Sequence, residues 1–118
     1  MKTFKDYEGT EAIDKLIEAL PYVNKLISDK EIMENLKETP MTVLGARAVK
    51  HQPETCEKLR EMLGNEPAEN AMSAAFGMTK LLAEVLTNKD MIDFFVFTGE
   101  TMDKSKSGST SQTSENKA

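Results

Sequence analysis

Apolar residues recur along the N-terminal part of the chain at spacings of one, three and four residues. This spacing places them along one side of an α-helix and does not fit the two-residue alternation of a strand. Pro21 lies inside the pattern, and a proline there removes one backbone hydrogen bond and clashes with the preceding turn. We therefore expect a long helix with a kink or break near Leu20. The apolar stripe consists of Ala12, Ile13, Leu16, Ile17, Leu20, Val23, Leu26 and Ile27.

Three further helices are predicted between residues 40 and 86. Thr39 followed by Pro40 is typical of an N-cap and a proline at the first helical position, and Pro53 marks a second start. The helix after Pro53 is expected to end before Gly64, because glycine is common just beyond a helix. The third helix is the longest of these. Its apolar residues are Ala71, Ala74, Ala75, Met78, Leu81, Leu82, Val85 and Leu86.

Two similar capping patterns follow the two long helices. The segment Ser28-Asp29-Lys30-Glu31 is a capping box, in which the Ser28 hydroxyl and the Glu31 carboxylate would each accept a free backbone N–H. The segment Thr87-Asn88-Lys89-Asp90 repeats the pattern, with Asp in place of Glu or Gln. Each pattern predicts a short helix. The apolar residues of these helices are Ile32, Met33 and Leu36 in the first and Met91, Ile92 and Phe95 in the second.

The two long-helix segments and their caps align with each other. Residues 12–36 match residues 71–95 without a gap, at an offset of 71 − 12 = 59 residues. The alignment pairs Ile13 with Met72, Ile17 with Phe76, Val23 with Leu82, Leu26 with Val85, and Ile27 with Leu86. It indicates two pseudo-repeated units, each a long helix followed by a short one, that could pack together. The alternative is that two amphipathic helices with ordinary caps resemble each other by chance.

These patterns together predict an all-α fold, a small helical bundle of about six helices. We assign residues 1–102 to the helical domain, since a chain of this length forms one compact domain. The segment 103–118 is rich in Ser, Thr, Lys and other polar residues, and its only apolar residue is Ala118. Such a segment buries too little apolar surface to offset the entropy of ordering. We therefore expect a disordered polar tail over 103–118.

The balance of charge is acidic. Residues 1–102 hold 18 acidic and 12 basic side chains, a formal charge of −6, and this makes nucleic acid an unsuitable partner. No apolar run reaches the roughly 18 to 20 residues of a membrane span, so no membrane partner is expected. The N-terminus lacks the apolar stretch of a signal peptide, and Cys56 is the only cysteine, which suits a reducing compartment. A cytoplasmic location follows from these observations.

Residue patterns typical of catalysis are missing from the chain. His51 and Cys56 are the only residues of their types, and their spacing alone does not exclude a Cys-His pair, but nothing else in the sequence supports one. The glycines form no phosphate-binding loop or dinucleotide motif. The carboxylates lie mainly off the apolar stripes and no cluster has the spacing of metal ligands. We therefore expect no enzymatic activity, no catalytic residues, no cofactor and no metal, and we expect the chain to act by binding protein.

Apolar residues outside the helix stripes are the candidate binding residues. Met72 and Phe76 lie off the main stripe of the second long helix, and Phe94 and Phe97 belong to the run Phe94-Phe95-Val96-Phe97. The repeat matches Phe95 with Leu36, which predicts a core position, and matches Phe94 with polar Asn35, which predicts exposure. Phe94 and Phe97 could instead close one end of the bundle. The protein-binding hypothesis is that Met72, Phe76, Phe94 and Phe97 contact a partner protein or a second copy of the chain.

The order of these features resembles a known family. The features are Lys5-Asp6-Tyr7, the helix at Ala12-Ile13, the turn Ser28-Asp29-Lys30-Glu31, the basic helix end Lys50-His51, and Leu86-Thr87-Asn88-Lys89-Asp90 leading into Phe94-Phe95. Over about residues 3–97 they are similar to tail assembly chaperones of siphophages and prophages of Gram-positive bacteria. The resemblance implies a helical protein in the host cytoplasm that binds the tape measure protein, keeps it soluble and recruits the major tail protein. It implies no catalytic residues.

Two other functions are compatible with the same residues. One is a small regulatory protein-binding module of the antitoxin or anti-repressor type, which would dock on one folded partner. The other is a head-tail connector, a structural protein that stays in the virion. Both bind protein without catalysis, so the sequence pattern does not separate them from a chaperone.

Overall fold

The structure is a computed structural model, and it describes residues 1–96. These residues form five α-helices and no strand, which confirms the all-α class. The helices are α1 (Gly9–Ile27), α2 (Met41–His51), α3 (Pro53–Met62), α4 (Ala71–Leu86) and α5, which begins at residue 89 and runs to residue 96. Two short 3-10 helices cover Phe4–Asp6 and Leu36–Glu38. The predicted tail of residues 103–118 lies outside the described residues.

The helices pack in two pairs around one apolar core. Helix α1 packs on α3, and α4 packs on α2. The first pair is antiparallel, because Lys15 near the start of α1 donates to the carbonyl of Met62 at 2.9 Å, while Gln52 before α3 donates to the carbonyl of Lys25 at 3.2 Å. The fully buried residues include Leu26, Ile32, Leu44, Leu59, Leu63, Met78, Leu81, Leu82, Val85 and Phe95.

A close approach of two backbones defines the contact between α2 and α4. A Cβ atom on Gly45 would lie 2.1 Å from the Thr79 hydroxyl oxygen and 2.5 Å from the carbonyl oxygen of Ala75. Both distances are far below ordinary van der Waals contact. Only glycine at this position lets the two helices approach so closely.

Helix α1 continues through its proline. It is one α-helix from Gly9 to Ile27 with Pro21 inside it, so the predicted break near Leu20 does not occur. Pro21 lies on the exposed side of the helix, while Leu20 and Val23 are buried on the other. The helix continues because burying its whole apolar stripe stabilises it by more than the loss of one backbone hydrogen bond costs.

The capping box predicted at Ser28 is wrong by one residue. Ser28 follows the last turn of α1, and its N–H donates to the carbonyl of Asn24. The cap is formed by Asp29, whose carboxylate oxygen Oδ1 accepts the N–H of Glu31 at 2.9 Å and that of Ile32 at 3.1 Å. An Asp or Asn side chain accepts such hydrogen bonds as well as a serine does. Ser28 is already the C-cap residue of α1, so the next residue caps the following turn.

The short helix predicted after this cap is also absent. Residues 30–35 form turns, and only the 3-10 helix Leu36–Glu38 follows. Asn35 adopts a left-handed conformation with φ of 53°, which ends any right-handed helix at this point. The N-cap predicted at Thr39 is also wrong. The Thr39 hydroxyl donates backwards to the carbonyl of Asn35 at 2.7 Å, and Pro40 is the N-cap residue of α2.

The second cap shows the same shift by one residue. Thr87 ends α4 and its hydroxyl donates to the carbonyl of Ala83, whereas Asn88 Oδ1 accepts the N–H of Met91 at 3.2 Å. Asn88 and Asp29 are matched by the 59-residue offset, so the two units share their cap geometry. They differ beyond it, because an α-helix follows only the second cap.

Helix α3 begins and ends as the sequence predicts. Pro53 occupies the first turn. Gly64 has a φ of 83°, its N–H donates to Glu61, and the N–H of Asn65 donates to the carbonyl of Arg60 at 3.0 Å. This pair of bonds is the Schellman motif, which satisfies the last carbonyls of a helix and favours glycine at its centre.

Candidate protein-binding surface

The side of α4 that carries Met72 and Phe76 faces solvent. These residues lie one helical turn apart, and their side chains are 67% and 56% exposed. The opposite side of the helix buries Met78 and Leu82 in the core. Two large apolar side chains that remain more than half exposed on one helix face form a candidate contact for another protein. We call Met72 and Phe76 the α4 pair.

Helix α1 carries a second exposed pair that the sequence stripe assigned to the core. Ile13 and Ile17 are 56% and 57% exposed and lie one turn apart. The apolar arc of α1 is wider than the face that its neighbours cover, so its edge stays in solvent. The offset of 59 residues matches this α1 pair with the α4 pair, and that match was the signal that could have found it.

The local sequence explains why α4 has an almost uncharged surface. Asn70 caps the helix by accepting the N–H of Ser73 at 2.8 Å, and alanines fill much of the first half. Lys80 and Glu84 are its only charged residues. Glu84 accepts three hydrogen bonds from the N-terminal residues of the chain, which leaves Lys80 as the charge nearest the α4 pair along the helix.

The electrostatic surroundings of the α1 pair are different. Glu11, Asp14 and Glu18 lie on the same helix and are exposed. Lys15 turns towards α3 and lies 3.4 Å from the carboxylate of Glu18. The α1 pair therefore lies on a helix with several exposed carboxylates, whereas the helix of the α4 pair carries few charges.

The aromatic residues near the end of the described chain belong mainly to the core. Phe95 is fully buried, as predicted, and the centroid of its ring lies 5.9 Å from that of Phe4. Leu36, the residue that the repeat matches with Phe95, is 37% exposed, so the predicted core position is wrong for Leu36. Phe94 is half-buried against the core, with its ring 5.1 Å from Phe95 in a T-shaped arrangement. Its position therefore lies between the two sequence-based interpretations. Phe97 is outside the described residues.

The single cysteine and histidine do not form a reactive pair of the kind considered from the sequence. Cys56 is buried, and burial together with the charge of Glu57 raises the pKa of its thiol to about 12. A thiol with such a pKa is protonated near neutral pH and is a poor nucleophile. His51 faces Glu31 at 3.8 Å. Within residues 1–96, no group of three or more His, Cys, Asp or Glu side chains could hold a metal ion.

In comparisons with known proteins, no protein-family model matches this chain, and neither does any curated protein or solved structure. Among the described helices, none combines the length and apolar character needed to cross a membrane.

Proposed function

We propose that this chain is a phage tail assembly chaperone that works by non-catalytic protein binding in the host cytoplasm. Its clients are the tape measure protein, the major tail protein or both, as the family resemblance of residues 3–97 implies. The observation that carries the proposal is the set of four large apolar side chains that stay more than half exposed, in two pairs at matched positions of α1 and α4.

The geometry of these pairs suits an apolar client segment. Each pair presents two side chains one turn apart, the spacing at which a helix contacts a partner helix or an extended apolar stretch. Isolated exposed apolar residues are common on protein surfaces, but two matched pairs on a chain of this size are a stronger indication of binding.

The acidic charge supports the same function. A chaperone must keep an apolar client in solution, and a net charge of −5 on the chain makes the complex self-repelling and soluble. The carboxylates around the α1 pair lie beside the apolar contact without being part of it. This arrangement leaves charge on the outside when a client covers the pair.

The test is co-expression of the full chain with the tape measure protein, and separately with the major tail protein, of its own tail gene cluster. The wild-type chain should hold the client in the soluble fraction and co-purify with it. The double variant Met72→Ser/Phe76→Ser should keep the helical signal and melting of the wild type and lose the client. The control is Val43→Ser, which removes an exposed apolar side chain on α2 and should retain binding.

Two outcomes would contradict the proposal. If the wild-type chain neither solubilises nor co-purifies with either tail protein, the function is wrong. If the double variant is folded and binds as the wild type does, the α4 pair is not the contact. Size-exclusion chromatography of the chain alone shows whether it self-associates without a client. If purified virions contain the chain, a head-tail connector is favoured over a chaperone.

A further inference from the structure

The first six residues cross the surface of α3 and α4 as a segment that we call the N-terminal strap. Its main chain is held by side chains of other elements. Asn65 Oδ1 accepts the N–H of Lys2 at 2.7 Å, and Asn65 Nδ2 donates to the carbonyl of Lys2 at 3.1 Å. One amide side chain thus satisfies both backbone groups of one residue, as a neighbouring strand would. This contact does not depend on the identity of the residue at position 2.

A carboxylate holds the other end of the strap in the same way. Glu84 accepts the N–H of Phe4 at 3.0 Å and the N–H of Lys5 at 2.9 Å, and the Thr3 hydroxyl donates to it at 3.2 Å. Two of these three donors are again backbone groups. Between the two anchors, Thr3 and Phe4 are buried. The strap is therefore recognised through its main chain at two points and through one hydroxyl and one aromatic side chain.

The surface beneath the strap is shaped as a groove. Gly77 on α4 leaves room for the Met1 side chain, since a Cβ there would lie 2.7 Å from the sulfur of Met1 and 2.8 Å from a guanidinium nitrogen of Arg60. A shallow cavity lies between the strap and the end of α4. It is lined by Met1, Thr3, Lys5 and Asp6 of the strap and by Lys80, Ala83, Glu84 and Thr87. The strap therefore covers α4 incompletely, and open space remains beside it.

The strap joins α1 through a short pivot. Gly9 has a φ of 59°, and a side chain at this position would contact nothing within 4 Å. Tyr7 is held in place because its hydroxyl donates to the carbonyl of Leu63. The pivot is fixed beside α3, while the hydrogen bonds of Lys2 and Lys5 lie at the protein surface. For the strap to leave its groove these surface hydrogen bonds must break, together with the core contact between the rings of Phe4 and Phe95.

We propose that the strap groove is a peptide-binding site which the N-terminal strap fills in cis, and that a segment of the client with the same short 3-10 turn takes its place. The segment that fits carries a small hydroxyl residue followed by an aromatic residue, the Thr3–Phe4 pattern. This inference rests on the proposed function for one point, the origin of the displacing segment in the client. Because the tethered strap has a high effective concentration, it excludes weak competitors, and a segment displaces it only when the client also binds elsewhere on the chain.

The test uses the full chain with the substitution Phe4→Ser, which weakens the cis occupant. The probe is a fluorescein-labelled synthetic peptide with the sequence of residues 1–8. By fluorescence anisotropy it should bind Phe4→Ser at least about tenfold more tightly than the wild type, whose groove is filled. A peptide in which the same Phe is replaced by Ser should not bind, and Val43→Ser should behave as the wild type. A folded Phe4→Ser chain that ignores the peptide would overturn the proposal, and so would an unfolded one, since the strap would then be part of the core.

Hydrogen exchange on the wild-type chain gives an independent measurement. If the strap opens by itself, the amides of Phe4 and Lys5 should exchange at least roughly a hundredfold faster than those of Leu82 and Val85 in α4. Equal protection of these two sets of amides would show that the strap opens only with global unfolding, and this would contradict the proposed displacement of the strap. Neither measurement uses a tail protein, so its failure is distinguishable from failure of the proposed function.

Discussion

The close contact between α2 and α4 makes a sharp prediction for the substitution Gly45→Ala. In most helix interiors this change is stabilising by up to about 1 kcal/mol, because alanine has the higher helix propensity. At Gly45 the new methyl group would lie 2.1 Å from Thr79 Oγ1, 2.5 Å from the Ala75 carbonyl oxygen and 2.8 Å from the Thr79 nitrogen. Rotating the Thr79 side chain removes only the first of these contacts, since the other two are backbone atoms.

The magnitude follows from the displacement that the methyl group demands. An ordinary contact begins at 3.4 Å, so α2 and α4 must separate by about 1 Å, and a gap of that size forfeits a quarter to a half of the dispersion energy of each contact across it. Overpacking of a well-packed core typically costs about 1 to 3 kcal/mol. Leu44 and Ala48 on α2 and Met78 on α4 are fully buried and would all be affected. After the gain in helix propensity of up to about 1 kcal/mol, we expect a net loss of about 1 to 2 kcal/mol.

The measurement is the urea unfolding midpoint, followed by far-ultraviolet circular dichroism. Gly77→Ala is the matched control, because Gly77 also lies inside a helix, α4, but its new methyl group meets only the flexible side-chain ends of Met1 and Arg60. That variant should stay within about 1 kcal/mol of the wild type. If Gly45→Ala is as stable as the wild type or as the control, the two helices do not pack as described.

Three further predictions concern the caps and the buried thiol. The hydrogen bond from the Gln52 side chain, and next that from the backbone N–H of Ile32, lower the pKa of Asp29. The carboxylate of Asp29 therefore stabilises the fold above the unfolded-state pKa of about 3.9, and this stabilisation is lost as the pH falls through the lower folded-state pKa. The urea midpoint of the wild type should fall more on acidification than that of Asp29→Asn, and parallel curves would refute this. Asn88→Ala should destabilise by about 1 kcal/mol and Thr87→Ala by less, with the reverse order contradicting the assigned cap. A thiol reagent should label Cys56 only as fast as the chain opens, because its pKa is raised to about 12 by burial; rapid labelling of the folded protein would show that the thiol is accessible.

Sequence patterns predicted the elements whose cause is local. The all-α class follows from the periodicity, and both ends of α3 follow from Pro53 and Gly64, because a fixed φ and a permitted positive φ act within one or two residues. The long helix α4 is in the same class. These features depend on the chain near them and on little else. The core position of Phe95 was predicted instead from the repeat, and its burial depends on distant residues such as Phe4.

Features that depend on distant partners were not predictable in this way. Ser28 is a good cap by sequence, yet Asp29 forms the cap, because Ser28 ends α1. The Asp29 carboxylate also accepts a hydrogen bond at 2.8 Å from Gln52, 23 residues away, which the local sequence does not reveal. The exposure of Ile13 and Ile17 depends on how much of α1 its neighbours cover. The sequence of residues 1–7 alone does not predict the contacts of Asn65 and Glu84 with the strap.

Helix α4 is apolar on more than one side, and its neighbours account for only part of that character. One side meets α2 at Gly45, a second meets the strap at Gly77 and Glu84, and the third, with Met72 and Phe76, faces solvent. Fully burying a large apolar side chain yields about 1.5 to 3 kcal/mol, so covering the exposed halves of the four side chains in the α1 and α4 pairs would give about 4 kcal/mol.

Association itself costs at least about 4 kcal/mol in lost translational and rotational freedom, so these two pairs alone would hold a client only weakly. A soluble complex then requires a second contact on the same chain or several chains on one client. The strap groove supplies a second contact of a different kind, made through main-chain hydrogen bonds and one aromatic residue. A client that offers both an apolar stretch and a segment of the Thr3–Phe4 pattern would therefore bind far more tightly than one that offers either feature alone.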